Sequence, residues 1–276
     1  MKKYNKYFKN PNIIVGTIFI LIIFALMLVG FFYTPYEFDA INVENKLSFF
    51  SKEHILGTDD LGRDILSRLM LACRSSFFIG TAVSVLGLLV GGILGSIAGY
   101  FGGIIDEIIM KLIDVQMAFP GILIALMIIA VFGGGTNNII LALSIMSIPK
   151  FARIMRSGFI KYKNYDFVKA EKARGAGHLR IMFIHILPNI LPEIIVTISL
   201  SFASAVMSEA GLSYLGLGGD PTFPSFGGML SEAQGAIFKA PWYVFIPIAA
   251  ITLFLMGFNF IADGIRQIQK EEKNKI

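Results

Sequence analysis

IIVGTIFILIIFALMLVGFFY, residues 13–33, carries no charged side chain. At about 1.5 Å of rise per residue, a helix of that length covers the roughly 30 Å hydrocarbon layer of a bilayer. Hydrocarbon offers a backbone no hydrogen-bond partner, so such a run must satisfy its own amides and is helical. Lys2, Lys3, Lys6 and Lys9 precede it, which also suits a secretory signal. The run is longer than a typical signal core and no small-x-small cleavage site follows, so a retained first span is expected.

The rest of the chain agrees with lipid as its solvent. Of 276 residues, 55% are hydrophobic and 16% are charged. A soluble domain carries about a quarter charged residues, and a chain of this length has too little interior to hide so much apolar surface. Further apolar runs lie at Ser75–Gly99, Leu112–Phe132, Asn138–Met155, Asn189–Gly211 and Val244–Ala262. The fourth of the six runs is the weakest, because Pro149 and Lys150 interrupt it. No ten-residue alternation points to a barrel, so the expected fold is an all-α integral membrane protein with about six transmembrane helices.

The Lys and Arg residues set the orientation. With the N-terminus inside, inner segments hold 18 of them: four in the tail, Lys111, nine from Lys150 to Arg180, and four from Arg266 onward. Outer segments hold six: Lys46, Lys52, Arg63, Arg68, Arg74 and Lys239. The positive-inside rule puts both termini in the cytoplasm, and it supports the weak fourth span. The net charge of +5 therefore reads as topology and not as nucleic-acid binding. The single cysteine and three scattered histidines give no metal-site spacing.

In the second run, Gly87, Gly91, Gly95 and Gly99 recur every four residues and form a stripe on one helix face. Such a stripe lets another backbone approach, either within this bundle or from a partner subunit.

The longest polar interruption on the inner side is RSGFIKYKNYDFVKAEKARGAGHLRIMFIHILPNILP, Arg156 to Pro192. Phe167, Ala170 and Ala173 are spaced to share a helix face, with Lys169, Lys172 and Arg174 on others. Gly175 and Gly177 permit a sharp turn. A second amphipathic stretch follows (Leu179, Met182, Phe183, Ile186), and Pro188 fits the first turn of the fifth span. This is either a protruding helical knob, of the kind needed to receive force from a cytoplasmic motor, or a basic loop lying on anionic headgroups.

Asp166, Phe167, Val168, Ala170, Glu171, Gly175 and Ala176, followed by His185, Leu187, Pro188 and Asn189, resemble the EAA loop of binding-protein-dependent ABC importer permeases. In the peptide and nickel branch that loop reads D-Y-V-x-A-A-x-x-x-G-A, then H-x-L-P-N. Phe167 stands for tyrosine, and Glu171 stands where alanine is common. LGTDDLGRDILSR (Leu56 to Arg68), LSYLGLGGDPTFPSFGG (Leu212 to Gly228) and FNFIADGIR (Phe258 to Arg266) resemble three other segments of the same branch, in the same order. The resemblance covers nearly the whole chain and points to the shorter, C-type subunit of dipeptide, oligopeptide or nickel importers.

That resemblance implies a type I importer permease: a cytoplasmic tail (1–12), the first span (13–33), an extracytoplasmic loop (34–74), a transmembrane permease domain (75–262) with a cytoplasmic coupling loop (157–188), and a C-terminal tail (263–276). It implies a multi-pass protein of the bacterial cytoplasmic membrane. Its partners are a second homologous permease, two ATPase subunits, an extracytoplasmic substrate-binding protein and membrane lipid. ATP and Mg belong on the ATPases, and this chain has no G-x-x-x-x-G-K-[ST] loop of its own. The ATPase-coupling residues implied are Asp166, Phe167, Ala170, Glu171, Ala173, Gly175, Ala176 and Gly177. The cargo implied is a peptide, or nickel.

Other residues keep two readings each. Asp59, Asp60, Arg63 and Asp64 could contact the binding protein or gate the outer face, or they could stabilise a folded entry to the second span. Glu209, near the outer end of the fifth span, is a pathway candidate or an interhelix hydrogen-bonding group. Asn259 and Asp263 read as inner-end packing. Pro120 and Pro149 are expected to bend or break their helices. A secondary transporter driven by an ion gradient is the alternative; it predicts an internal repeat and paired broken helices, and no convincing repeat is visible.

Overall fold

The computed structural model describes residues 6, 9–220 and 222–273. Lys2 and Lys3 of the basic tail, Pro221 and residues 274–276 lie outside the described residues.

The first apolar run becomes α1, Pro11–Phe32. The Asn10 side chain caps it by accepting from the amides of Asn12 and Ile13, and Pro11 occupies the first position, where its missing N–H costs nothing. Gly16, Ile23 and Gly30, seven apart, are its buried residues; most of its surface faces outward. A methyl group on Gly16 would come within 2.6 Å of Gly257 O, so the close approach of the last span requires glycine there.

An irregular outer segment leads to α2, Ile65–Phe101. It starts ten residues before the apolar run of the sequence, because Asp64 caps it: the Asp64 carboxylate accepts from the Ser67 amide. The third apolar run is two helices, α3 (Gly103–Ala118) and α4 (Gly121–Phe132), bent by 84°. Phe119, held extended by the following Pro120, makes the break. The other proline behaves differently. Pro149 sits inside a continuous α5, Thr136–Tyr162, with no break. Proline removes the amide that the Ile145 carbonyl would use, and the Gln116 side-chain amide of α3 donates to that carbonyl instead.

α5 crosses to the inner side, where α6 (Asp166–Ala173) projects. The chain then re-enters as α7, His178–Tyr214, whose residues Ile181–Ile186 form a widened π turn ahead of Pro188. The amphipathic stretch after the glycine turn is therefore the base of this span and not a separate element. A short outer α8 (Phe226–Ala233) follows, and α9, Pro241–Lys273, closes the bundle. Among the described residues five helices are long and apolar enough to cross a membrane, or six if the bent pair α3–α4 is one broken span.

The glycine stripe of α2 faces α5. A side chain at Gly91 or Gly95 would overlap α5 backbone at Ile148 or Ala152, and a methyl group at Gly99 would lie 2.6 Å from Arg156 O. The stripe is used inside this chain, and dispersion between the two apposed backbones holds α2 to α5. Among the described residues four apolar clusters fill the bundle: one holds Phe202, Phe226, Phe254 and Tyr243, a second Ile79, Ile129, Ile139 and Leu143, a third Val196, Ala262 and Ile265, and the fourth, at the inner end, Tyr100, Phe159, Val168 and Ile181.

Candidate functional site

On the inner side, α6 is fixed from behind. Val168 is fully buried against the cluster of Tyr100, Met155, Phe159, Ile181 and Met182. The Ala176 amide donates to Glu171 O at 3.0 Å and the Gly175 amide donates to Lys172 O at 3.0 Å. These two bonds are the Schellman termination, and they require the left-handed backbone that Gly175 adopts at φ +80°. Gly177 is extended at φ −68°, so the turn depends on Gly175 alone. The Tyr100 hydroxyl and His178 Nδ1 lie 2.9 Å apart and tie the end of α2 to the start of α7.

The opposite face of α6 is open. Phe167 is 38% exposed, and Ala170, Ala173, Arg174, Gly175 and Gly177 are exposed too. Asp166 is exposed and pairs with Lys169 at 3.0 Å; Ala176 is half-buried. Glu171 turns away from that face: its carboxylate meets Arg174 at 3.0 Å and lies 3.7 Å from His185. The substitution at that position therefore leaves the apolar face of Phe167, Ala170 and Ala173 as it is.

On the outer side, the GTDDLGRD segment folds into a cap. Asp59 is fully buried and accepts from the amides of Leu61 and Arg63. It also accepts from Arg63 Nε at 2.6 Å and Arg68 Nη1 at 2.7 Å. The same two guanidiniums reach Glu232 of α8, at 2.8 and 2.7 Å. Burial opposes the Arg63 charge, but Asp59 and Glu232 more than offset it and raise its pKa. Asp64 is buried and accepts from the Ser67 hydroxyl at 2.8 Å, with His54 Nδ1 at 2.9 Å. Asp60 is half-exposed and lies 4.0 Å from Arg63. Asp59, Asp60 and Glu232 each bring a carboxylate oxygen within 4.8 Å of the others, and the two arginines neutralise that group. Nothing in GTDDLGRD pointed to Arg68 or Glu232 as its partners.

Arg63 also forms part of the wall of an outer cavity of about 1260 Å³, with Asn138, Asp220, Phe223 and Glu232. Glu209 lines an adjoining cavity of about 240 Å³. It is buried between two helices, accepting from Ser213 Oγ at 2.7 Å and Ser76 Oγ at 3.3 Å. Asp220, fully exposed at the rim, is held below the usual carboxylate range by the Thr222 hydroxyl and amide.

Midway along α5 lies a group that the sequence placed inside. Lys150, which its charge groups with the cytoplasmic side, stands midway along α5, and its exposed side chain donates to Ser204 Oγ at 3.1 Å. A lysine facing lipid at helix centre costs about 2.5–3.5 kcal/mol, so such residues line polar interiors. The interruption of an apolar run by Pro149 and Lys150 was the signal for it.

The outer cap with its cavity and the inner knob with its open apolar face thus sit at opposite ends of α2. Residues 91–272 match the family model described as binding-protein-dependent transport system inner membrane component. The chain belongs to that family. It is 40% identical to the dipeptide transport system permease protein DppC of Alkalihalophilus pseudofirmus, over 94% of this chain and 85% of the relative. It is 38% identical to the oligopeptide transport system permease protein OppC of Bacillus subtilis, over 95% and 86%. It is 35% identical to the glutathione transport system permease protein GsiD of Pectobacterium atrosepticum, over 95% and 88%. The fold resembles a chain of the inward-facing MetNI methionine ABC transporter, with TM-score 0.59 and 17% identity, covering 72% of this chain and 96% of that one. The protein is a multi-pass ABC transporter permease of the bacterial cytoplasmic membrane.

Proposed function

We propose that this permease forms half of the pathway of an ATP-driven importer for di- and oligopeptides, with α6 as the coupling helix that docks on a separate ATPase subunit. The observation that carries the proposal is the open apolar face of Phe167, Ala170 and Ala173 on a helix locked from behind. A contact that transmits force must be rigid on one side and unpartnered on the other. Buried Val168, the Glu171–Arg174 pair and the Gly175 turn supply the rigidity. A basic loop spread over headgroups needs none of them.

The remaining parts are a second homologous permease, two ATPases that bind ATP and Mg, and an extracytoplasmic binding protein delivering cargo to the outer cavity. In this reading half-exposed Asp60 and the cavity-lining Arg63 meet that protein, whereas buried Asp59 and Asp64 act through the fold. Glu209 belongs to this reading as a pathway group beneath the cavity. Peptide is the cargo supported by the names of the relatives. Nickel has less support, since His54, His178 and His185 lie against Asp64, Tyr100 and Glu171. A gradient-driven carrier expects paired broken helices, and the described residues hold one bent pair.

Ala170→Glu places a charge on the open face without touching the core. In proteoliposomes holding the full importer, it is expected to abolish trialanine uptake and trialanine-stimulated ATP hydrolysis while the chain still inserts. Gly175→Val, which forces a branched side chain to positive φ, is expected to do the same, and Gly175→Asn to be milder. Normal uptake in Ala170→Glu removes α6 from the coupling path. Uptake that continues without the ATPases removes the importer reading itself.

A further inference from the structure

The bend between α3 and α4 opens onto a cavity of about 250 Å³ at the level of Pro149 and Lys150. Non-helical backbone at membrane depth persists only where it is buried in protein or lines a water-filled space. The polar side chains lining this cavity are Gln116, Ser147, Lys150, Ser201, Ser204 and Ser208; Gln116 and Ser147 already donate to backbone carbonyls, which leaves Lys150 and the three serines of α7 facing the space. Lys150 contributes its ammonium, and no ion pair to it occurs among the described residues. Ser201, Ser204 and Ser208 of α7 contribute hydroxyls one helical turn apart. Gly121 begins the 12-residue α4, whose N-terminus points positive and has no side-chain cap. No aspartate or glutamate lines the space.

Ser201 marks this as a built site. It is 2% exposed, lines the cavity, and its Oγ has no hydrogen-bond partner. A buried hydroxyl with no partner in the protein is free to bond a group that enters the cavity. Ser204 holds the Lys150 ammonium toward the same space at 3.1 Å.

We propose that this cavity is a low-affinity anion subsite on the translocation path, where Lys150, Ser201 and Ser204 receive the carboxylate of a passing substrate, such as the C-terminus of a peptide. The peptide assignment rests on the proposed function; the anion preference does not.

The test uses the assembled importer in proteoliposomes, with Cys73→Ser removing the buried native thiol and Ser204→Cys as reporter. Anionic and cationic methanethiosulfonate reagents of similar size are compared. The anionic reagent is expected to react about tenfold faster relative to the cationic one than it does after Lys150→Met, and Lys150→Arg is expected to keep the preference. Trialanine is expected to slow the labelling and trialanine amide to leave it unchanged. An equal reagent ratio with and without Lys150, or no labelling at all, overturns the anion site. Loss of assembly in Lys150→Met, with labelling unaffected by charge, overturns it in favour of an ion pair to the second permease. Trialanine that is imported without slowing the labelling overturns the carboxylate assignment. Failure of the wild-type importer to take up trialanine instead refutes the peptide reading, and the reagent ratio still decides the anion site.

Discussion

Asp59 and Asp60 are adjacent and chemically identical, yet the fold gives them opposite weight. Asp59 is fully buried, meets two guanidiniums and accepts two backbone amides; Asp60 is half-exposed and lies 4.0 Å from Arg63. Removing one member of a buried ion pair strands its partners at a cost of about 3–5 kcal/mol, while an exposed pair is worth about 0–1 kcal/mol. Asp59→Asn is therefore expected to lower the thermal midpoint of the detergent-solubilised permease sharply and Asp60→Asn to leave it nearly unchanged. Equal midpoints for the two variants would deny the cluster its structural role. The sequence showed both acids but could not rank them, because only the folded segment shows which of the two turns inward to the backbone amides and to Arg63 and Arg68.

At the scale of elements, the two prolines show what a local pattern can and cannot tell. Proline forbids the preceding residue a helical backbone only weakly and removes one amide, so either a break or a repaired helix can follow. Pro120 gives the 84° bend. Pro149 leaves α5 continuous because Gln116, from the far side of that bend, donates to the Ile145 carbonyl. Gln116→Ala should strand that carbonyl and cost about 1–3 kcal/mol. Pro149→Ala restores the amide within α5, so the Gln116→Ala/Pro149→Ala double variant is expected to lose much less than Gln116→Ala alone. A thermal-denaturation cycle over the four proteins measures the difference; strict additivity would show that the Gln116 contact carries no weight. The glycine stripe was legible as a close approach, and only the backbone positions of Ile148, Ala152 and Arg156 settle that α5 is what approaches it.

Over the whole molecule, the apolar helices were legible because hydropathy is a property summed over many residues, which no single contact can reverse, and the Lys/Arg bias gives the direction expected of them. Sites were less legible because they join distant segments, as Lys150 of α5 and Ser204 of α7 do. Moving Lys150 from the cytoplasm into the bilayer still leaves a large basic excess on the inner side, so the orientation stands. It puts α6 and the outer cap on opposite sides of the membrane, separated by spans of 27 and 37 residues, or about 40 and 55 Å of helix. Phe167→Cys and Thr222→Cys, each in a Cys73→Ser background, turn that separation into a measurement. A membrane-impermeant maleimide is expected to label Thr222→Cys in right-side-out spheroplasts and Phe167→Cys only in inverted vesicles. Phe167→Cys should be labelled in the chain expressed alone and protected when the ATPase subunits are co-expressed, because the open face of α6 is then covered. Labelling of Phe167→Cys from outside would reverse the topology and remove α6 from reach of any cytoplasmic motor. Labelling from inside without protection would keep the topology and place the ATPase contact elsewhere on the inner surface.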